Sequence, residues 1–285
     1  FCKLKCAGCI SHARMADKKK IIYVSQEIMP YLTATDNAKF GRSLPQAMQQ
    51  KKYEVRTFMP DFGDVNERRN QLHEVIRLSG IGITISDNDH PLVVKVASMH
   101  PSRIQVYFID NDDYFQKLDS DADAFGWDRP DNDERLIFFA HGTMETARKL
   151  QWDPDFIHVS GWMCALVPLY MRRINNDSPA FRKARVVYTI FPGKGPENFS
   201  PEIFNKLKAD GLKPVDFKML KDLEPDALLA HKIAILYSDV VVFHGVEPDP
   251  ALREFAESHG VEVVALDGGS DHADDYDTLY NTLQK

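Results

Sequence analysis

The sequence predicts an α/β fold: a doubly wound, parallel, Rossmann-like sheet with a β-rich insertion. Three observations predict it. Short apolar runs of strand length alternate with helix-length amphipathic segments along most of the 285 residues. The alternation stops between residues 72 and 104, where apolar or alternating runs follow one another with only turns between them. Apolar residues make up 44% and charged residues 27% of the chain, an ordinary globular balance in a length that buries a core without disulfides or metal.

Taken in order, Ile21-Ile22-Tyr23-Val24-Ser25 reads as the first buried strand. Residues 38–50 read as a helix with Phe40, Leu44, Ala47 and Met48 on one side, and residues 54–59 as a second strand ended by Pro60. That order implies a right-handed parallel crossover. The runs at 72–78, 81–85 and 92–99 form the insertion, which returns to the main sheet at Val106-Tyr107-Phe108-Ile109. Asp131 and Asn132 read as the cap of a long helix reaching about residue 150, with acids in its first turn and Arg148-Lys149 in its last. Residues 156–159 are a strand, and residues 161–174 read as one apolar helix ending in Arg172-Arg173, with Cys164 as core packing. Strands at 185–190, 239–243 and 261–266 alternate with helices at 226–236, 250–259 and 274–283. The Pro- and Gly-rich stretch 191–199 reads as a loop.

Bulk properties exclude several classes. The formal net charge is −7, which argues against a nucleic-acid or anionic-membrane partner. No apolar run approaches the ~20 residues a transmembrane helix needs. Residues 1–14 precede Met15, and Met15-Ala16-Asp17-Lys18 reads like a start, so the leader is expected to be non-native or disordered and residues 15–285 to form one domain. Cys2, Cys6 and Cys9 in that leader have the C-x3-C-x2-C spacing of an iron–sulfur site, or with His12 a zinc site, but the segment is short and basic and no metal or cofactor is expected. A single cysteine, Cys164, beyond that leader points to a reducing, cytoplasmic compartment.

Several stretches together resemble the bacterial glycogen/starch synthases, glucosyltransferases of two facing Rossmann-like domains (the GT-B architecture). Val24-Ser25-Gln26-Glu27-Ile28-Met29-Pro30 resembles the family's opening V-x-S-E-x-x-P, with one extra residue before Glu27. Leu44-Pro45, Glu54-Val55-Arg56, Tyr107-Phe108-Ile109-Asp110-Asn111, Asp131-Asn132-Asp133-Glu134-Arg135-Leu136, Trp152-Asp153-Pro154 and Tyr237-Ser238-Asp239 follow in family order. The resemblance covers residues 20–245 or so and implies the N-terminal half of such an enzyme, acting on ADP-glucose and an α-glucan.

The resemblance also marks departures. Thr33-Ala34-Thr35-Asp36 stands where the family has lysine-threonine-glycine-glycine, so the cation and free amides that would meet the donor's phosphates are replaced. The family's H-x-H-D-W-H is His158-Val159-Ser160-Gly161-Trp162-Met163 here, and its T-x-H-N is Thr189-Ile190-Phe191-Pro192. The resemblance matches the family's first domain only, and the second is expected to be missing. The resemblance therefore implies a domain impaired or inactive alone, with a protein partner supplying a second domain, or else a non-catalytic glucan- or protein-binding regulatory domain. A third reading is a different enzyme that reuses the fold with residues such as Glu27 and Asp36.

The substrate-binding candidates are Glu27, Thr33, Asp131, Asn132, His158 and Trp162, with no catalytic residue assigned. Each has a plainer reading. Glu27 could be a solvated loop acid, His158 a core histidine bonded to backbone, and Trp162 a helix-packing residue rather than a sugar platform. Gly193-Lys194-Gly195 lacks the G-x4-G-K-[ST] spacing of a phosphate loop.

Overall fold

The computed structural model describes residues 18–33, 35–175, 178–267 and 272–284. The expected leader, residues 1–14 with its three cysteines and His12, lies outside them.

The first half of the chain builds β1 (Lys20–Ser25), α1 (Asp36–Gln50), β2 (Glu54–Pro60), α2 (Glu67–Asn70), β3 (His73–Glu74), β4 (Ile81–Ile85), β5 (Asn88–Met99), β6 (Ile104–Asp110), α3 (Asp112–Phe115) and α4 (Asn132–Lys149). β7 (Phe156–Ser160), α5 (Val167–Leu169), α6 (Pro179–Arg182), β8 (Arg185–Ile190), α7 (Ile203–Ala209), α8 (Pro214–Phe217), α9 (Leu229–Leu236), β9 (Val240–His244), α10 (Pro250–Ser258), β10 (Glu262–Leu266) and α11 (Ala273–Leu283) complete it. One sheet runs in the order β10-β9-β8-β7-β1-β2-β6-β5-β3, with β4 paired to β5 alone. The pairs from β10 through to β6 are all parallel, and β5 pairs antiparallel with β6, β3 and β4. The expected parallel sheet with a β-rich insertion is therefore present.

Both faces of the parallel region are covered, so its strands read as continuous apolar runs rather than alternating ones. α1 and α11 pack over one face on Tyr23, Phe156, Val187 and Val240. α4, α5, α7 and α9 pack over the other on Val24, Ile157, Val186 and Val241. The insertion is tied to the sheet by Lys95 of β5, whose Nζ lies 2.6 Å from Asp110, 2.9 Å from Asp61 and 2.9 Å from Glu67. Burial pushes the Asp61 carboxyl up to about 7, against the pull of that lysine. The same lysine anchors the first residue of α2.

Three expectations need correction. Residues 161–174 are not one helix: a 3-10 turn at Trp162–Cys164 gives way to α5 and then to a π-helical stretch at Tyr170–Ile174. Pro168 has no N–H for the helix ladder and sits at the start of α5, so the segment restarts there. The π stretch closes with Asn175 N donating to Tyr170 O at 2.8 Å. Second, Asp131 occupies the N-cap position of α4 but its side chain makes no capping bond, and its Oδ1 is buried without a partner. Asn132 turns away instead: its Nδ2 donates to the carbonyls of Gly126 and Trp127, and its Oδ1 accepts from Arg135. Asp133 receives the Glu134 amide at 2.9 Å and pairs with Lys206 at 2.7 Å. Third, β2 continues through Pro60, which is in register with Ile109 of β6.

Beneath α1 and α11 lies a chain of buried polar groups. Tyr23 and Tyr280 share a hydroxyl contact at 3.0 Å, and the Tyr280 hydroxyl meets His158 Nδ1 at 2.6 Å. His158 Nε2 meets Thr189 Oγ1 at 2.7 Å, and Tyr276 continues the chain to His244 Nδ1 at 3.2 Å. These bonds pin the C-terminal helix to β1, β7, β8 and β9. A buried polar atom that loses its partner bears a desolvation cost. Tyr280→Phe is therefore expected to lower stability by about 1–3 kcal/mol, read from urea unfolding midpoints. An unchanged midpoint would mean that α11 is held by apolar contact alone.

Candidate functional site

The sheet reverses direction at β1. The chain moves from β1 to β2 and β6 on one side, then returns to place β7 on the other. In parallel α/β sheets a ligand crevice forms at the carboxyl ends of the strands where the order reverses. A cavity of about 240 Å³ lies at that position, lined by the loops after β1, β7 and β8.

The loop after β1 is held down by bonds to the distant exit of β7. Gln26 N donates to Ser160 O at 3.0 Å, and Met163 N donates to Gln26 Oε1 at 3.2 Å, so the exits of β1 and β7 are stitched together. Gly161 makes this possible. Its φ is +89°, and a Cβ there would stand 2.6 Å from the Gln26 Cβ. The resembled family's aspartate cannot occupy that backbone without moving the Gln26 loop.

Glu27 is 5% exposed and lines the cavity. Thr35 Oγ1 donates to its Oε2, and Asn37 Nδ2 donates to its Oε1 at 3.4 Å. The same Thr35 oxygen accepts Ala38 N at 3.0 Å as the side-chain cap of α1. Burial raises the Glu27 carboxyl above its ordinary value, the two hydrogen bonds oppose that rise, and Asp123 adds to it. Gly41 of α1 lets the helix lie against this loop, since a Cβ there would stand 2.6 Å from Glu27 O.

Trp162, 6% exposed, forms the opposite wall, with Gly195 against its indole. Its Nε1 is buried and has no hydrogen-bond partner within the protein, and the same is true of Asn37 Oδ1. Two lining residues thus each hold an unpaired buried polar atom, one a donor and one an acceptor, near a carboxylate. Buried polar groups in folded chains are nearly always paired, so an orphan pair at a cavity marks a place for a ligand's polar groups.

The remaining candidates separate. Asn132 lines a neighbouring cleft with Trp127 and Asn198, and Asp131 a shallow one beside Asp121 and Arg129. Thr33 is exposed and lines neither these nor the cavity at the reversal. His158 lies under the other face of the sheet at 1% exposure. Both its ring nitrogens are engaged by side chains, Tyr280 and Thr189, rather than by backbone. Burial and then the neighbouring His244 depress its pKa to about 3. A sugar could reach it only if α11 moved.

The sequence does not single out Asn37, Asp123 or His231, and sets Lys194 aside for lack of phosphate-loop spacing, yet all four line the cavity. Asp123 and Phe125 arrive there because Arg129 and Arg135 fold the preceding segment back: Arg129 pairs with Asp121 at 2.5 Å, and Arg135 donates to Phe125 O at 2.8 Å. His231 bonds Tyr188 at 2.7 Å, and burial lowers its pKa to about 4, so it stands neutral. Lys194 leans over the Trp127 ring at 5.3 Å. One signal for it was available: Gly193-Lys194-Gly195 follows the carboxyl end of a parallel strand, where crevice residues gather.

Comparison with known proteins finds relatives in sequence and in fold. The sequence profile described as "Starch synthase catalytic domain" matches residues 20–246. The chain is 35% identical over 202 residues to a glycogen synthase of Chlorobaculum parvum, covering 67% of this chain and 41% of that one. It is 32% identical over 233 residues to a glycogen synthase of Chlorobium limicola, covering 79% and 48%. The catalytic domain of starch synthase IV from Arabidopsis thaliana, solved with ADP and acarbose, has the same fold at a TM-score of 0.70 and 16% identity, over 90% of this chain and 52% of that one. The chain spans less than half the length of these curated relatives.

The neutral, enclosed state of His158 gives a direct check. A histidine whose pKa is depressed keeps its neutral ring well below pH 6.5. Its ring ¹⁵N shifts are expected to hold neutral-form values from pH 7 to about pH 4.5, given the pKa of about 3. A titration centred near 6.5 would show a ring open to water.

Proposed function

The chain belongs to the starch synthase catalytic domain family, and we propose that its cavity at the sheet reversal is the sugar-binding wall of a glucosyl-transfer site. In this reading the site works between ADP-glucose and an α-glucan and turns over only when a second domain closes on it. The observation that carries the reading is the unpaired Trp162 Nε1 and Asn37 Oδ1 beside the Glu27 carboxylate, at the carboxyl end of β1. A donor, an acceptor and an anion around a small cavity suit a polyol, whose hydroxyls both donate and accept. The volume of about 240 Å³ lies below the roughly 300–1,000 Å³ of common ligand pockets and favours a single sugar unit.

The same wall is poorly equipped for a diphosphate. Lys194 is the one lysine or arginine among its lining residues, which also include the carboxylates of Glu27 and Asp123. Thr33, at the position of the resembled family's lysine, brings no charge. Transfer needs charge stabilisation where the leaving diphosphate develops and closure that excludes water. Both are assigned to the second domain, whether the same polypeptide or another chain carries it. The curated relatives are named glycogen synthases, which supports the substrate class.

Two measurements test this. Radiolabelled glucose from ADP-glucose is expected not to enter glycogen when the 285-residue chain is the sole enzyme, and calorimetry is expected to give an ADP-glucose affinity no tighter than ~1 mM, about −4 kcal/mol. Maltooligosaccharides are expected to bind, with Trp162→Phe weakening them about three- to tenfold through loss of one hydrogen bond. Turnover by the chain alone that disappears in Glu27→Ala would overturn the need for a second domain. Glucan binding untouched by Trp162→Phe would remove the cavity from the reading.

A further inference from the structure

We propose that a basic basin on the flank of the sheet, separate from the cavity at the reversal, binds the phosphate group of a phosphorylated small molecule. The basin lies between α1 and the turn joining β5 to β6, has a volume of about 610 Å³, and shares no lining residue with the cavity of Glu27 and Trp162. The inference is independent of the glucosyl-transfer reading.

Its charge is one-sided. Arg42 from the middle of α1, Arg69 of α2, His73 of β3, and His100 and Arg103 of the β5–β6 turn all line it, with no Asp or Glu among the lining residues. This stands out in a chain of net charge −7. Elsewhere several buried or half-buried cations are matched with acids: Lys95, Arg129 and Lys206 each hold a carboxylate within 3 Å, while Arg135 is held by backbone carbonyls and Asn132. Among the described residues none of the three basin arginines has such a partner. Arg42 is the best fixed of them, donating to the His100 carbonyl at 2.8 Å. A guanidinium carries five N–H donors, so most of its fork remains available.

The three arginines come from three segments separated in sequence, α1, α2 and the β5–β6 turn, and are held together by the fold. Glu67, the first residue of α2, is tied to the sheet through Lys95, which sets Arg69 at the rim. Like charges gathered in a concave wall repel one another and focus a positive field, and a bound dianion relieves both. Arginine forks match the oxygens of a phosphate bidentately, which a scattered lysine surface does not. The Tyr31 ring, packed edge-on against Phe108 at 4.9 Å, adds an apolar wall beside these charges. A site of this volume has room for an organic body as well as the phosphate.

The test is calorimetric titration of the whole chain, at low salt, with inorganic phosphate, glucose 1-phosphate and glucose. Saturable binding is expected for the two phosphate-bearing probes and none for glucose in this basin, with affinity falling as sodium chloride is raised. Arg69 and Arg103 are exposed, so the double variant R69Q/R103Q is expected to keep its melting temperature while phosphate affinity falls about tenfold or more. Lys117→Gln, which removes one positive charge from an exposed lysine paired to Asp64 outside the basin, is the surface-charge control and should leave binding unchanged. Tighter binding of the ester assigns the basin to a sugar phosphate, and equal binding assigns it to free phosphate. No saturation by either probe up to ~10 mM, or undiminished binding in the double variant, overturns the proposal.

Discussion

The structure depends on one topological constraint, the reversal of strand order at β1. β1 is paired in parallel on both sides, with β2 and with β7. Each parallel neighbour demands a crossover, and right-handed crossovers on opposite sides send the two exits to opposite faces. The backbone leaving β1 enters α1 over one face, while the backbone leaving β7 enters the 162–174 segment over the other. Neither exit fills the gap between them. Gln26 floors it with two hydrogen bonds, and Gly161 supplies the backbone conformation that permits them. The cavity is therefore a consequence of topology, and its chemistry is whatever side chains the exits carry.

Those side chains divide the molecule's charge. At the reversal, burial favours uncharged or acidic groups: Glu27 is shifted towards its protonated form and His231 is held neutral. Cations are spent elsewhere as structural ties, Lys95 between the insertion and the sheet and Lys206 between α7 and α4. The arginines left over collect on the flank beside α1. A polyol-type cavity and a phosphate-type basin on separate surfaces follow from that partition. The two would differ in their sensitivity to salt, because hydrogen bonding to neutral hydroxyls is little screened and exposed ion pairing is strongly screened.

His158 and Trp162 show why family position alone is a poor guide to a residue's role. They are four residues apart in one motif-like stretch, yet a strand alternates its faces and the turn after it redirects the chain. His158, within β7, points to the face under α11, where Tyr280 and Thr189 satisfy it. Trp162, past the strand end, lies at the cavity with its Nε1 unpaired. One is enclosed by packing beneath α11 and the other belongs to the lining of the cavity.

The sequence by itself determined the order and kind of most elements. Buried parallel strands are continuous apolar runs, and amphipathic helices repeat near 3.6 residues, so both signals are local; Ile21-Ile22-Tyr23-Val24 and Phe40, Leu44 and Met48 carry them plainly. It also carried the family resemblance, since order and spacing of short motifs survive in the chain itself. It did not determine the broken path at 161–174, where an apolar composition suits a helix but Pro168 interrupts the ladder, nor the turning of Asn132 away from the helix end to meet Arg135. Only the tertiary structure decided that Glu27, Asn37, Trp162 and Lys194 share one cavity, and that Arg42, Arg69 and Arg103 share another. The physical reason is that these groupings join segments tens of residues apart. Their proximity is set by strand pairing and crossover handedness, quantities that no local pattern records.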